Sequence, residues 1–445
     1  MESSAGSLAG SSVESLVAAV RRADAEAVTA LLREAGADPE TVDEHGTPVL
    51  CLAVETFSLP VVDALLGSAA VQVDRAAPDG RTPLLRAIDH GAHDIVGRLI
   101  NAGANLWLTD PEGRDALALT RYWCQVKFSA ELNHRGGPGR ASRTTVESES
   151  GNIVEEWTCG SATIRKSHTV ILTELEPRYG IRPPFEELLA RALAETNVDH
   201  EVWWATTSAL QQRRDPAVWD EAAALRESAD PRERYFAAEV LRIMNLFDDS
   251  DDDPYDAPLV DLFVPWVARE RDDRVAWSLT AGLTDALDPR ADEALPALTR
   301  HGAAKVRTWA VGGLRRAVES GHPEATAAVV ACLEDDAPAV RRVACMSLGH
   351  APAEPTGLTG RTGRTGRTGP PSASDLLASR LLDPDESVRV EAAGRLALRG
   401  DARGDEVLDG LGTIGEDSPY RWLLYDVFRY RYRAAQEAAG APPGV

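Results

Sequence analysis

Gly80-Arg81-Thr82-Pro83-Leu84-Leu85 decides how this chain is read. The stretch recurs upstream as Gly46-Thr47-Pro48-Val49-Leu50 and downstream as Gly113-Arg114-Asp115-Ala116-Leu117, at a spacing of about 33 residues. In each copy Thr-Pro or its equivalent starts a helix, because proline is tolerated in the first helical turn. Between the copies lie two apolar runs, Val61-Val62-Asp63-Ala64-Leu65-Leu66 and Ile95-Val96-Gly97-Arg98-Leu99-Ile100. Gly91 separates two short antiparallel helices within one period, and Gly103 supplies a left-handed cap at the end of the second. A tandem array of helix pairs follows from this spacing alone.

The repeated segments, together with Gly36-Ala37-Asp38 and Gly103-Ala104-Asn105 at the helix ends, resemble the ankyrin consensus. About three and a half repeats fit residues 12–125, the first and last degenerate as terminal caps are. The resemblance implies recognition of partners by the exposed turn tips, which fall near Glu44-His45, Pro78-Asp79 and Pro111-Glu112.

A second period runs through the C-terminal half. Val388 to Leu396 has apolar residues at its first and ninth positions and small ones between. The same frame fits 340–348, 306–314, 275–283, 233–241, 202–210 and, loosely, 419–427. A partner helix precedes each frame, and Asp230-Pro231, Asp272-Asp273, Asp335-Asp336 and Asp383-Pro384 lead into the second helix as N-capping requires. The array is similar to the short bacterial HEAT repeats typified by phycobilin-lyase-type proteins, over residues 184–432. The expected fold is mainly α: an α-solenoid of ankyrin repeats followed by HEAT-like repeats.

Residues 126–183 match neither period and are expected to form a connector. Arg135 to Arg140 is Gly-rich and reads as a turn or linker, 153–158 and 162–165 can pair as a hairpin across Cys159-Gly160, and helix resumes from Ser167 to Tyr179, closed by Gly180. The Thr-Gly-Arg tract within 353–371 cannot bury a core and is expected to be a disordered insertion, as are the ends, 1–11 and 433–445.

Composition narrows the function. A net charge of -23 repels polyanions and anionic membranes, and no basic patch is evident. Five scattered cysteines without CxxC spacing argue against a disulfide framework or a zinc site. The N-terminus lacks the pattern of a secretory signal, and no apolar run is long enough to cross a membrane, so a cytoplasmic location is expected. Three lysines among 47 basic residues point to a GC-rich bacterial genome.

No phosphate-binding loop, dinucleotide fingerprint or nucleophile elbow occurs. His90 and His93 have a spacing that suits metal but sit where ankyrin repeats carry a turn. The acidic run Asp248 to Asp256 lacks the glycine and glutamate of a calcium-binding loop; Asp251, Asp252 and Asp253 read instead as a solvated insertion able to dock a basic partner. Aromatics recur in the second-array frame at Trp203, Trp204, Tyr235, Phe236, Trp277, Trp309 and Trp422. Core packing accounts for most of them. Trp203 and Trp204 are adjacent, however, so at least one is a candidate contact, and Trp204, Trp277 and Trp309 join Glu44, His45, Asp79 and Glu112 as expected partner-binding residues.

The expected function is a non-catalytic protein-interaction scaffold or adaptor without catalytic, cofactor or metal residues, whose partner bears a basic surface. The alternatives are an enzyme or lyase subunit, which the phycobilin-lyase resemblance brings with it, and a nucleic-acid-binding HEAT protein, which the charge opposes.

Overall fold

Thr82 shows why the repeat begins where it does: its hydroxyl accepts from Leu85 N at 3.3 Å, and Pro83 opens the helix behind it. The computed structural model describes residues 15–135, 140–148, 151–250, 253–352, 371–412, 415 and 418–438. The N-terminal residues 1–11 and, apart from Pro371, the insertion 353–371 fall outside that range, as does the glycine-rich centre of 135–140. The chain divides into two compact units, 1–218 and 219–445.

In the first unit, α1 (15–21) and α2 (Ala25–Arg33), α3 (Val49–Glu55) and α4 (Leu59–Leu66), and α5 (Pro83–Asp89) and α6 (His93–Asn101) form successive pairs. α7 (Ala116–Gln125) lies against α5 and is capped by Asp115. α8 (Phe128–Arg135) then leads into a three-stranded antiparallel sheet of order β1 (Ser142–Glu147), β2 (Ile153–Cys159), β3 (Ala162–Arg165). The expected hairpin is present, with Glu156 opposite Arg165 and Cys159 opposite Ala162. β1, paired from Ser142–Thr158 to Glu147–Ile153, carries no alternation of apolar residues and is exposed along most of its length, so only the β-branched run Thr144-Thr145-Val146 hints at a strand.

The connector is part of the same core as the repeats. Trp123, Leu132, Cys159, Ile164, Ile171 and Leu175 are buried in one cluster with the ankyrin helices. β3 closes on the turn between α5 and α6: Arg165 N donates to His90 O at 2.8 Å, and His90 Nδ1 reaches Thr163 O at 2.8 Å. Gly91, at φ +64°, is required there, because a Cβ would lie 2.0 Å from Arg165 O. α9 (His168–Leu175) ends in a 3-10 turn closed by Gly180 at φ +72°, and α10 (Phe185–Ala194) pairs with α11 (Glu201–Gln211).

The second unit stacks helix pairs. Its second-position helices are α13 (Pro231–Leu246), α15 (Asp273–Asp285), α17 (Ala304–Gly313), α20 (Pro338–Leu348), α22 (Glu386–Leu398) and α24 (Arg421–Ala438), each lying against the next. Their partners include α14 (Asp256–Val267), α16 (Arg290–Leu298), α19 (Pro323–Ala331), α21 (Ala373–Ser379) and α23 (Asp405–Asp409); α12 (Pro216–Ala224) and α18 (Arg315–Glu319) complete the helices. The small residues of the frame permit close approach: at Gly394 a Cβ would meet Leu423 at 2.6 Å. Whereas the sequence reading ended order at 432, α24 continues to Ala438.

An arginine recurs one residue into the frame. Arg234, Arg307, Arg341 and Arg389 each donate from Nη1 to two carbonyls of the turn before their own helix: Ser228 and Ala229, His301 and Gly302, Asp335 and Asp336, and Asp383 and Pro384. The first three also form bidentate pairs with an acid of the following repeat. Arg234 meets Glu270 at 3.0 and 2.8 Å, Arg307 meets Asp335 at 2.7 Å twice, and Arg341 meets Asp383 at 2.8 and 2.7 Å. Asp230 and Asp272 cap their helices as expected, but Asp335 and Asp383 do not. Ala337 and Asp385 occupy those cap positions, and the acids are drawn to the arginines, where a fork-to-fork pair satisfies both oxygens.

Candidate functional site

The ankyrin turn tips are built by their own side chains. Asp43 Oδ1 accepts from His45 N at 2.9 Å and Thr47 N at 2.8 Å, and its Oδ2 meets Arg21 at 2.8 Å. Burial opposes ionisation of Asp43, yet those two N–H groups and Arg21 hold its carboxyl below the usual range. Asp110 repeats the arrangement with Arg114 N at 2.8 Å. Gly46, Gly80 and Gly113 follow the tips at φ near +79°, which turns the chain back into the next helix.

Three acids project from these turns. The Glu44 side chain is 60% exposed, Asp79 40% and Glu112 55%. Each is steadied by arginine: Arg21 lies 3.2 Å from Glu44, Arg86 2.9 Å from Asp79, and Glu112 is held by Arg81 at 3.4 Å and Arg114 at 3.0 Å. The Glu44 carboxyl is held below its ordinary range by its own backbone N–H and by Arg21. His45 sits beside Glu44 at 3.7 Å with a side chain 77% exposed.

Elsewhere in the first unit, α6, α9 and α11 wall a polar cleft of about 460 Å³, whose lining includes His93, Asn101, Glu174, Arg178, Trp204 and Gln212. Trp204 is 54% exposed at this cleft while Trp203 is 3% exposed, its Nε1 donating to Glu195 O at 3.2 Å. Position in the frame therefore separates the two tryptophans as their adjacency requires. His93 lies between carboxylates, Nε2 at 2.9 Å from Glu174 and Nδ1 at 3.2 Å from the buried Glu201. Burial alone would depress the imidazole, but Glu174 and Glu201 raise it to about 10, so His93 is a cation at neutral pH. His168, stacked on Trp123 at 5.2 Å, has the opposite fate: burial lowers it to about 4, and neutral Nε2–H donates to Ile88 O at 2.7 Å. Among the described residues no group of His, Cys, Asp and Glu is placed to hold a metal ion.

In the second unit, Tyr235, Trp277 and Trp309 form a row across α13, α15 and α17. Ring centroids are 6.5 Å apart for Tyr235–Trp277 and 6.4 Å for Trp277–Trp309, and Lys305 Nζ stands 3.6 Å over the Trp277 ring. Trp277 and Trp309 are half-buried, whereas Tyr235 and Phe236 belong to the core. Trp422 lies apart from this row, on α24, and is 74% exposed. Asp251 and Asp252 lie outside the described residues; Asp253 is exposed at φ +41°. The arginine ladder and the His93 cluster were missed from sequence. The ladder's signal was present, an arginine after the first frame residue in four copies, but Ala276 interrupts it.

No helix among the described residues is long and apolar enough to cross a membrane. Compared with curated proteins, the chain has no match. A family model described as ankyrin repeats (three copies) matches residues 16–110. Residues 16–110 are thus ankyrin repeats, an architecture that engages protein partners.

Proposed function

We propose that the chain is a non-catalytic scaffold or adaptor that holds a protein partner with a basic surface on its ankyrin turn tips. The observation carrying this reading is the row Glu44, Asp79 and Glu112: one exposed acid per tip, each fixed by arginine before a partner arrives. Such preorganisation lowers the ordering cost of binding. The polar cleft beside Trp204 offers a place for a partner side chain, and aromatics concentrate interface energy.

The second array is a HEAT-like display surface in this reading. Its support is the stacking of second-position helices and the recurrent arginine that ties each turn to the next repeat. Trp277 and Trp309, half-exposed and backed by Lys305, are its candidate contacts.

Affinity purification of the full chain from its native cell, repeated with Glu44→Lys, Asp79→Lys and Glu112→Lys combined, tests the proposal. The wild type should recover a basic partner whose association slows as salt shortens the Debye length from about 10 Å at 0.1 M. The triple variant should lose it. Equal recovery by both proteins removes the tips from the interface.

A further inference from the structure

The outward side of α24 carries aromatic rings where a surface helix ordinarily turns a polar face to water. Of the twelve exposed large hydrophobic side chains among the described residues, five lie on this one helix: Trp422 (74% exposed), Tyr425 (52%), Phe428 (65%), Tyr430 and Tyr432 (56%). Trp422, Tyr425, Phe428 and Tyr432 together mark a surface rather than scattered exposure, while the Tyr430 hydroxyl turns toward Gly400.

The inner side of α24 is accounted for. Leu423 fits over Gly394 of α22, Val427 is buried with Ala393 and Leu408, and Arg431 pairs with Asp405. At 3.6 residues per turn, Arg421, Trp422, Tyr425, Arg429, Tyr432 and Arg433 share the opposite side. Arginine and aromatic rings are interleaved along it. Arg421 lies over Trp422 at 5.7 Å, Arg429 over Tyr425 at 5.6 Å, and Phe428 stacks on Tyr432 at 6.2 Å. Arg429 and Arg433 place positive charge on this side, beside Arg421, within a chain of net charge -23.

We propose that the outward face of α24 docks an acidic amphipathic helix of a partner protein. Three observations select that occupant. α24 lies on α22 as α22 lies on α20, so its outward side is where a further helix of the stack would sit. The face from Trp422 to Arg433 spans about 16 Å, the length of three turns of a helix. Its charge calls for carboxylates, and tryptophan, tyrosine and arginine are the side chains that anchor protein interfaces. Nucleic acid fits less well, because few cations are offered while the field of the whole chain repels a polyanion. A membrane fits less well too, because the aliphatic residues Leu423, Leu424 and Val427 face inward and the outward rings are interrupted by arginine.

Fluorescence anisotropy on the full chain tests the assignment. The probe is a labelled peptide of about 18 residues, leucine on one face and glutamate at i, i+4 spacing on the other; a lysine counterpart, a thymidine oligonucleotide and vesicles of phosphatidylcholine and phosphatidylserine are compared with it. The glutamate peptide should bind at least about tenfold more tightly than the lysine peptide. Arg429→Glu and Tyr425→Ala should each weaken it about tenfold or more with an unchanged melting temperature, since both side chains are exposed. The combined tip variant should bind it as the wild type does, which separates this surface from the tip interface. Equal binding of both peptides, no peptide binding, or binding only of the oligonucleotide or vesicles overturns the proposal. So does self-association abolished by Tyr425→Ala, which would make a second copy the occupant.

Discussion

The ankyrin turn tips and the helix-pair stack use arginine in opposite ways. At the ankyrin tips Arg21, Arg81 and Arg114 steady acids that remain largely exposed, whereas in the helix-pair stack Arg341 and Asp383 have side chains only 10% and 2% exposed and pair through both nitrogens and both oxygens. An exposed pair contributes little because water and salt screen it, while breaking a buried pair strands a charge in a poorly solvated place. At the tips the pairs thus present acids, and in the stack they join one repeat to the next.

The largest effect expected from this contrast follows removal of one partner of a buried pair. Asp383→Ala leaves the Arg341 guanidinium without its acid and should destabilise the second unit by about 3 kcal/mol or more. Hydrogen exchange should show protection lost in α20 and α22 before the ankyrin helices; equal loss in both units would break the comparison. The double substitution Arg341→Met with Asp383→Leu sharpens it. Because no charge is stranded, most of the loss should be recovered, and denaturant titration of the three proteins measures the difference.

In the first unit pH is the lever, and the buried His168 and the half-buried His93 act with opposite sign. His168 titrates near 4 when folded, below its unfolded value of about 6.5, so the unfolded chain takes up the proton and stability falls as pH drops through that interval. His93 titrates near 10 when folded, so its contribution is complete below about pH 6.5 and is lost as pH rises from there toward 10. Thermal melts across pH should show His168→Gln flattening the acid limb and His93→Gln the alkaline limb. An unchanged acid limb in His168→Gln would mean that carboxylates alone govern it.

The smallest effect is expected at the tips. Glu112→Gln removes a partner from Arg81 and Arg114 yet should cost under about 1 kcal/mol, because the pair is solvated. A larger loss in a denaturant titration would show the tip acids to be structural and would weaken their assignment to partner binding.

Much of the first array was legible because its determinants are local. Glycine, Thr-Pro and the apolar pairs recur at fixed offsets, and each acts within a turn of itself. The hairpin across Cys159-Gly160 was legible for the same reason. β1 was not: five of its six residues are exposed and its apolar residues do not alternate, so its strand conformation comes from pairing with β2. Asp335 and Asp383 looked like helix caps from their neighbours in sequence, and an arginine 28 or 42 residues distant claimed them.

The two repeat periods, the mainly helical fold and the negative field follow from the residues alone, since periodicity, turn chemistry and net charge are local or additive properties. The sequence also determined that Trp203 and Trp204 could not share a fate. Which of them faces water, how His93 stays charged while His168 stays neutral, and why Trp422, which fits a core frame, stands on an exposed helix face were decided by tertiary structure. Burial and ionisation depend on side chains brought together from distant segments, and no single segment contains that information.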